Sequence, residues 1–184
     1  MPTPPSTGLV ATYSFNEGAG STVTGASGNG HHGTISGAQW PDSGQYGKAL
    51  VFDGVNDWVT VSDSPSLDLT TDMTLEAWVY PTTLSGGSTN GWRTVILKQQ
   101  STQLAYALYA NSNTNRPNSY VYTSSDQGIF GNTQLPLNTW RHLAITYDGA
   151  ALRLYVSGTL VGIRCLPGSI TTSGQPLRIS GNSV

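Results

Sequence analysis

The sequence is poor in charge, and its few charged residues form no basic cluster. Lys and Arg number 8 and Asp and Glu number 10 among 184 residues, which gives a formal net charge of −2. Proteins that bind nucleic acid or anionic membranes carry a basic patch or stripe on their surface. We therefore expect neither nucleic acid nor a membrane among the partners of this protein.

The sequence has one cysteine, Cys165, so it cannot form a disulfide within the chain or a metal site built from several cysteines. We expect Cys165 to be a small buried side chain. No run of about 18 apolar residues occurs, so no membrane-spanning helix is predicted. The segment Met1–Thr7 lacks the basic and apolar parts of a signal peptide, and its Pro and Thr content predicts a linker. Residues 8–184 are then expected to form one domain.

The remaining pattern is that of a β-protein. Short segments in which apolar and polar residues alternate, such as Thr74–Tyr80 and Leu152–Val156, are separated by turns rich in Gly, Asn and Asp. Asp148-Gly149 joins two such segments and predicts a tight hairpin. No stretch of ten or more residues has a convincing helical period. The sequence therefore predicts an all-β fold with two packed antiparallel sheets, a jelly-roll sandwich.

The turn from Asp53 to Asp57 concentrates oxygen donors. It places two carboxylates and the carboxamide of Asn56 within five residues, with Gly54 available for a positive φ. Oxygen ligands at this density suit a hard cation such as Ca²⁺. Asp and Asn also close hairpin turns without any ion. Both explanations stay open on the sequence alone.

The carboxylates do not follow the pattern of a glycosidase, which uses two acids facing each other across a sugar. The two glutamates are Glu17 and Glu76, and neither is followed by another acid two or four residues later. We expect Glu76 to be structural or solvated, with Lys98 as its ion-pair partner. The sequence predicts that the protein is not an enzyme.

Carbohydrate binding requires aromatic rings for stacking and planar polar groups for the hydroxyls. Trp92 follows a Gly/Ser-rich loop and is the best candidate for an exposed platform. In the alternative interpretation, Trp92 closes one end of the sandwich and the tyrosines fill the faces of the sheets. We expect most of Trp40, Trp58, Trp78 and Trp140 in the core. The candidate ligand-binding residues are Trp92, Arg93, Tyr109, Asn111, Tyr120, Tyr122 and Asp126.

Six motifs occur in an order that resembles the laminin G-like (concanavalin A-like) jelly-roll domain of bacterial extracellular proteins. They are Tyr13–Gly18, Ser27–Thr34, Ala49–Val61, Thr74–Val79, Asn138–Gly149 and Leu177–Asn182. The resemblance implies a concanavalin A-like sandwich in a parent protein that is secreted or held at the cell surface.

The resemblance also implies a structural calcium ion that ties the glycine-rich loop to the turn before Trp58. The corresponding ligands in this sequence are Asn29, Asp53 and Asp57. The sequence departs from the family in two places and so lacks one or two ligands, because Gly25 stands where an aspartate is frequent and the family's closing strand does not follow Val184. We therefore expect a weakened Ca²⁺ site and a sandwich that is incomplete at its C-terminal end.

These observations lead to two expectations for function. The first is a noncatalytic extracellular module that binds carbohydrate or another surface ligand. The alternative is a structural or interaction domain, whose incomplete sandwich accepts a strand from a peptide or another chain. A third reading, a degenerate relative of glucanases or sialidases, requires Glu76 to act in hydrolysis.

Overall fold

The computed structural model describes residues 8–41, 43–84 and 92–181. The predicted linker, the Gly/Ser loop before Trp92 and the C-terminal residues 182–184 lie outside these ranges. The described residues form twelve β-strands and one short 3-10 helix, Pro65–Leu67. The strands are β1 (Thr22–Val23), β2 (Gly33–Ser36), β3 (Trp58–Val61), β4 (Met73–Val79), β5 (Arg93–Gln99), β6 (Leu104–Asn111), β7 (Asn118–Tyr122), β8 (Asp126–Phe130), β9 (Arg141–Tyr147), β10 (Ala151–Val156), β11 (Thr159–Cys165) and β12 (Leu177–Ile179).

The strands form two antiparallel sheets. One has eight strands in the order β1-β2-β3-β12-β5-β6-β7-β8, and the other has four in the order β11-β10-β9-β4. This arrangement confirms the all-β, two-sheet antiparallel sandwich predicted from the sequence. None of the helical turns in the described ranges is long and apolar enough to cross a membrane.

Tight turns connect β9, β10 and β11 of the smaller sheet, and the first of them is the one that the Asp148-Gly149 pattern predicts. Gly149 has a φ of 74°, and Asp148 Oδ1 accepts hydrogen bonds from the amides of Ala150 at 3.0 Å and Ala151 at 2.7 Å. At the next turn Ser157 and Gly158 both have positive φ, at 47° and 79°. Two consecutive positive φ values match the right-handed twist of the strands that they join.

Alternation along the strands places one apolar face of each sheet in the core. Leu143, Ile145 and Tyr147 of β9 are buried against residues of β6 such as Tyr106 and Leu108. Two buried tyrosine hydroxyls of this core have partners: Tyr106 donates to the Leu67 carbonyl at 2.9 Å, and Tyr147 donates to that of Leu166 at 2.9 Å. A buried polar group without such a partner would destabilise the fold.

Residues 9–15 alternate like a strand in sequence, yet they form only an isolated bridge between Tyr13 and Gly25. Their carbonyl groups bind the glycine-rich loop instead. Thr12 accepts from the Ala26 amide at 2.9 Å, and Val10 accepts from the Ser27 hydroxyl at 2.8 Å. Because irregular loop residues supply these partners, the segment is extended along the sandwich without joining a regular ladder.

The expectation for Cys165 is wrong, because this side chain is exposed. Cys165 is the last residue of β11, which lies at the end of the four-stranded order. Most positions along that strand are exposed, so its sequence alternation does not define a buried side.

Lys98 does not pair with Glu76 as expected. Its ammonium group is buried, and it forms an ion pair with Asp63 and a second one with Asp68 at 3.6 Å. It also donates to the Gln175 carbonyl at 2.8 Å. This buried cation therefore joins the chain after β3, the 3-10 helix and the segment before β12.

Candidate functional site

The structure brings five of the seven predicted ligand-binding residues together on the larger sheet. Trp92 contacts Tyr109 with ring centroids 4.8 Å apart and Tyr120 at 5.9 Å, and the two tyrosine rings are 6.2 Å apart. Arg93 pairs with Asn111 across β5 and β6. We call Trp92, Tyr109 and Tyr120, together with Leu97 and Ala107 beneath them, the Trp92 cluster.

The Trp92 cluster is mostly packed, with Trp92 and Tyr120 half-buried and its other members buried. Tyr109 and Asn111 are each 3% exposed, and Leu97 and Ala107 are fully buried. Asn111 Nδ2 donates to the Leu84 carbonyl at 2.8 Å, so the chain at Leu84 lies against this face. These contacts support the interpretation in which the tyrosines fill the face of the sheet.

Tyr122 and Asp126 pair with each other in the β7–β8 ladder. They lie at the opposite end of β7 from Asn118, which pairs with Tyr109. Four residues of strand span about 13 Å. The structure therefore separates these two predicted residues from the pair formed by Arg93 and Asn111.

Asp53 and Asp57 both serve the turn in which they lie. Asp53 Oδ1 accepts from the amides of Val55 at 2.7 Å and Asn56 at 3.3 Å. Asp57, which is 8% exposed, accepts from the Asp53 amide through Oδ2 at 2.8 Å. The carboxylates thus close the turn, as the explanation without an ion requires.

Asn29, the third predicted calcium ligand, lies elsewhere. Its Nδ2 donates to the carbonyls of Leu9 at 3.1 Å and Val10 at 2.7 Å. Asn29 precedes the Gly33 end of β2, whereas Asp57 precedes β3 at the end where Ser36 faces Trp58. Those two ends are about 10 Å apart along the strand.

These three residues do not form one cluster in this structure. Within the described ranges, no three or more His, Cys, Asp and Glu side chains come close enough together to hold a metal ion. Asp53 and Asp57 offer carboxylate oxygens of the kind that Ca²⁺ prefers, but two carboxylates fall short of the six to eight oxygens it takes. The calcium site stays a prediction from the resemblance.

An aromatic surface that the sequence interpretation missed lies on the outer side of the smaller sheet. Tyr46 is 68% exposed, Trp78 is 42% exposed and Tyr80 is 44% exposed. Tyr46 meets Trp78 nearly edge to face, with centroids 5.6 Å apart, and Trp78 lies 5.3 Å from the ring of His142. Trp140 is 5.4 Å from Tyr80. We call this surface, together with the outward residues Glu76 and Ala144, the Trp78 face.

The assignment of Trp78 to the core was wrong, and alternation along β4 explains why. Leu75, Ala77 and Val79 pack into the core, so Glu76 and Trp78 point outward between them. The sequence contained this information, because Glu76 was expected in solvent and shares its side of the strand with Trp78. The other tryptophans are half-buried and do not belong to the buried core either.

Glu76 and Asp148, on this side of the smaller sheet, each have a nitrogen-bearing side chain nearby. Glu76 Oε2 lies 3.6 Å from His142 Nε2, and the Glu76 side chain is 63% exposed. Arg153 Nη1 donates to Asp148 Oδ2 at 2.7 Å. This hydrogen bond, with those from two backbone amides, lowers the pKa of Asp148 to about 2. Because the Glu76 side chain is mostly exposed, its carboxylate oxygens are available to accept hydrogen bonds.

The second glutamate has a local role. Glu17 Oε1 accepts from the Thr24 amide at 2.7 Å and thereby connects the first turn to β1. Glu76 faces a histidine, whereas hydrolysis of a glycosidic bond would need a second carboxylate opposite it.

A groove of about 790 Å³ runs between residues 8–16 and β4. Its floor includes core residues of both sheets, among them Leu75, Tyr106 and Leu177. β4 is the last strand in the order of its sheet, so one of its edges faces this groove. The Tyr13 hydroxyl is buried in the lining without a hydrogen-bond partner among the described residues, and burial raises the pKa of this group to about 12.

Comparison with known families decides the classification. The laminin G-type model of the concanavalin A-like lectin/glucanases superfamily matches residues 53–184. This chain belongs to that superfamily. The matched region contains β3 to β12 and therefore most of both sheets. None of the curated proteins gives a significant match to the sequence.

Solved structures share the fold at low sequence identity. Domain 4 of AbnA, a GH43 extracellular arabinanase from Geobacillus stearothermophilus, in complex with arabinotriose, has a TM-score of 0.73 and 21% identity, covering 93% of this chain and 82% of that one. A Trypanosoma rangeli sialidase has a TM-score of 0.65 at 14% identity, over 98% of this chain and 28% of that one. The binding domain of botulinum neurotoxin DC, in complex with SialylT, has a TM-score of 0.56 at 14% identity, over 88% and 41%.

Proposed function

We propose that this superfamily member is a noncatalytic carbohydrate-binding module of an extracellular protein, and that the Trp78 face is its binding surface. The observation that carries the proposal is the exposure of Trp78 and Tyr46 side by side on an open sheet face. Large aromatic side chains are normally withdrawn from water unless they meet a partner.

The chemistry of the face suits a sugar. The apolar side of a sugar ring packs on an aromatic ring, while its hydroxyl groups need donors and acceptors at the rim. The Glu76 carboxylate accepts hydrogen bonds from hydroxyls, and a ring nitrogen of His142 donates or accepts according to its tautomer. Both side chains lie beside the Trp78 ring.

The structural neighbours support the class of function. Domain 4 of the arabinanase is in complex with arabinotriose, and the toxin binding domain is in complex with SialylT. The arabinanase is also named as extracellular. A binding module rather than a hydrolase is favoured here because Glu76 is paired with His142 and not with a second carboxylate.

A glycan array tests the proposal. We expect the wild type to bind at least one plant or bacterial-surface glycan, and Trp78→Ala to lose at least tenfold in affinity because the stacking surface is removed. Trp92→Ala is the matched control and should retain the binding while lowering thermal stability. Absence of binding across the array, or equal binding by wild type and Trp78→Ala, would contradict the proposal.

The groove beside β4 favours a second candidate function, strand acceptance. An extended peptide could hydrogen-bond to the edge of β4 that pairs with no strand among the described residues, and it could pack apolar side chains on Leu75 and Leu177. It would also offer a carbonyl to the buried Tyr13 hydroxyl. A peptide of alternating apolar and polar residues should raise the melting temperature, and a proline-substituted version should not. Equal melting temperatures with both peptides would rule out this function.

A further inference from the structure

The register of the smaller sheet arranges the outward residues in parallel rows across the strands. Trp78 lies opposite His142, and Glu76 lies opposite Ala144, which in turn faces Tyr155 of β10. Successive rows on one face of a sheet are about 7 Å apart, because they are separated by two residues of strand. The aromatic platform and the row that contains Ala144 are therefore neighbours on one continuous surface.

Ala144 makes a depression in the second row. Cβ atoms of directly opposite residues are about 5 Å apart, so those of Glu76 and Tyr155 are about 10 Å apart with only a methyl group between them. The core residues Leu143 and Ile145 lie on the other side of β9, which confirms that Ala144 points outward. The gap has a carboxylate on one side, a phenol on the other and an apolar floor.

The charges of the face favour a neutral ligand. Glu76 stands at the border between the platform and the depression, and its side chain is 63% exposed. Arg153, in the next row, is already paired with Asp148 at 2.7 Å. A sugar carboxylate above this row would approach the exposed Glu76 carboxylate, whereas the Arg153 guanidinium is already compensated by Asp148.

We infer that the Trp78 face binds a chain of at least two neutral sugars, one stacked on the Trp78 ring beside Tyr46 and the next lying over Ala144 between Glu76 and Tyr155. This inference rests on the proposed function and adds the length and charge of its ligand. Ala144 is then the residue that determines whether the second sugar fits, because any larger side chain fills the gap.

Isothermal titration with arabino-, xylo- and cello-oligosaccharides of one to six units tests the inference, with oligogalacturonates of equal length as acidic counterparts. For the neutral series that binds, affinity should rise at least tenfold from monosaccharide to trisaccharide. The oligogalacturonates should bind at least tenfold more weakly. Ala144→Leu should lower trisaccharide affinity at least fivefold and leave monosaccharide affinity unchanged.

Two controls accompany the Ala144 variant. Ala144→Ser keeps the gap open and should bind like the wild type, and Thr34→Leu places the same leucine side chain on the exposed side of β2, in the other sheet. Length-independent affinity of the wild type, stronger binding of oligogalacturonates, or unchanged trisaccharide binding by a folded Ala144→Leu would overturn the inference while the proposed function stands. If neither a neutral series nor the oligogalacturonates bind, both are overturned.

Discussion

The two sheets each carry a group of contacting aromatic rings on the outer side, and the two groups differ in what covers them. In the Trp92 cluster Tyr109 is 3% exposed, whereas on the Trp78 face Trp78 is 42% exposed and Tyr46 is 68% exposed. Ring separations are similar, 4.8 Å between Trp92 and Tyr109 and 5.6 Å between Tyr46 and Trp78. The same residue types therefore form a packed cluster on one sheet and an open platform on the other.

Among the substitutions that test this contrast, Tyr109→Ala should have the largest effect on stability. Removing a nearly buried aromatic ring from the Trp92 cluster should lower the free energy of unfolding by about 3 kcal/mol, because the packing contacts are lost and a cavity remains. Urea denaturation measures this change. Glycan binding by the folded fraction should persist. A loss below about 1 kcal/mol would show that the cluster is more open than its burial indicates.

The next largest effect on stability is expected for a substitution in the turn before β3. Asp57→Ala removes the acceptor of the Asp53 amide in a nearly buried position and should cost about 1 to 2 kcal/mol. If the carboxylates only close the turn, the melting temperature of the wild type should be equal in Ca²⁺ and in chelator. A Ca²⁺-dependent rise that Asp57→Ala abolishes would instead support the calcium site predicted from the resemblance.

Trp78→Ala should have a small effect on stability, in contrast to Tyr109→Ala. Its ring is exposed, so the free energy of unfolding should change by less than about 1 kcal/mol. Circular dichroism during urea unfolding provides the measurement. A loss as large as that of Tyr109→Ala would mean that Trp78 is structural, and the contrast between the two faces would disappear.

The smallest effect on stability is expected for Asp148, at the edge of the Trp78 face. The pKa of Asp148 is lowered to about 2 from an ordinary value of 3.8, chiefly by the hydrogen bond from Arg153. A depressed carboxyl pKa stabilises the fold above the unfolded value, and this contribution is lost as the pH falls through the folded value. Asp148→Asn should therefore be slightly less stable at pH 7, and the difference should close between pH 4 and pH 2. A difference that is constant with pH would contradict this assignment.

The fold could be predicted because it depends on local patterns. Alternation and turn chemistry located β4, β9, β10 and β11, and Asp148-Gly149 forms the expected hairpin. The segment at residues 9–15 has the same alternation, yet the glycine-rich loop supplies its hydrogen-bond partners. Local pattern does not report which partner a strand-like segment will find.

The site was harder to predict because burial depends on what lies above a residue. Trp92, Tyr109 and Tyr120, which were predicted to bind ligand, contact one another, and the sequence does not show that their face is largely covered. For Trp78, the sequence does show the alternation along β4. Leu75, Ala77 and Val79 are the apolar positions that face the core, so the Trp78 ring between them points outward. The expectation that Trp78 lies in the core followed the general burial of tryptophan instead of this alternation, and it is wrong.

The most direct test of the central claim is an NMR titration with a neutral oligosaccharide that binds the protein. It follows the five tryptophan indole N–H signals, each of which is assigned by a Trp→Phe substitution. The account predicts that the Trp78 signal shifts with saturation, while those of Trp92 and Trp58 on the larger sheet stay in place. A saturable shift of the Trp92 signal with Trp78 unchanged would contradict it and would move the binding surface to the other sheet.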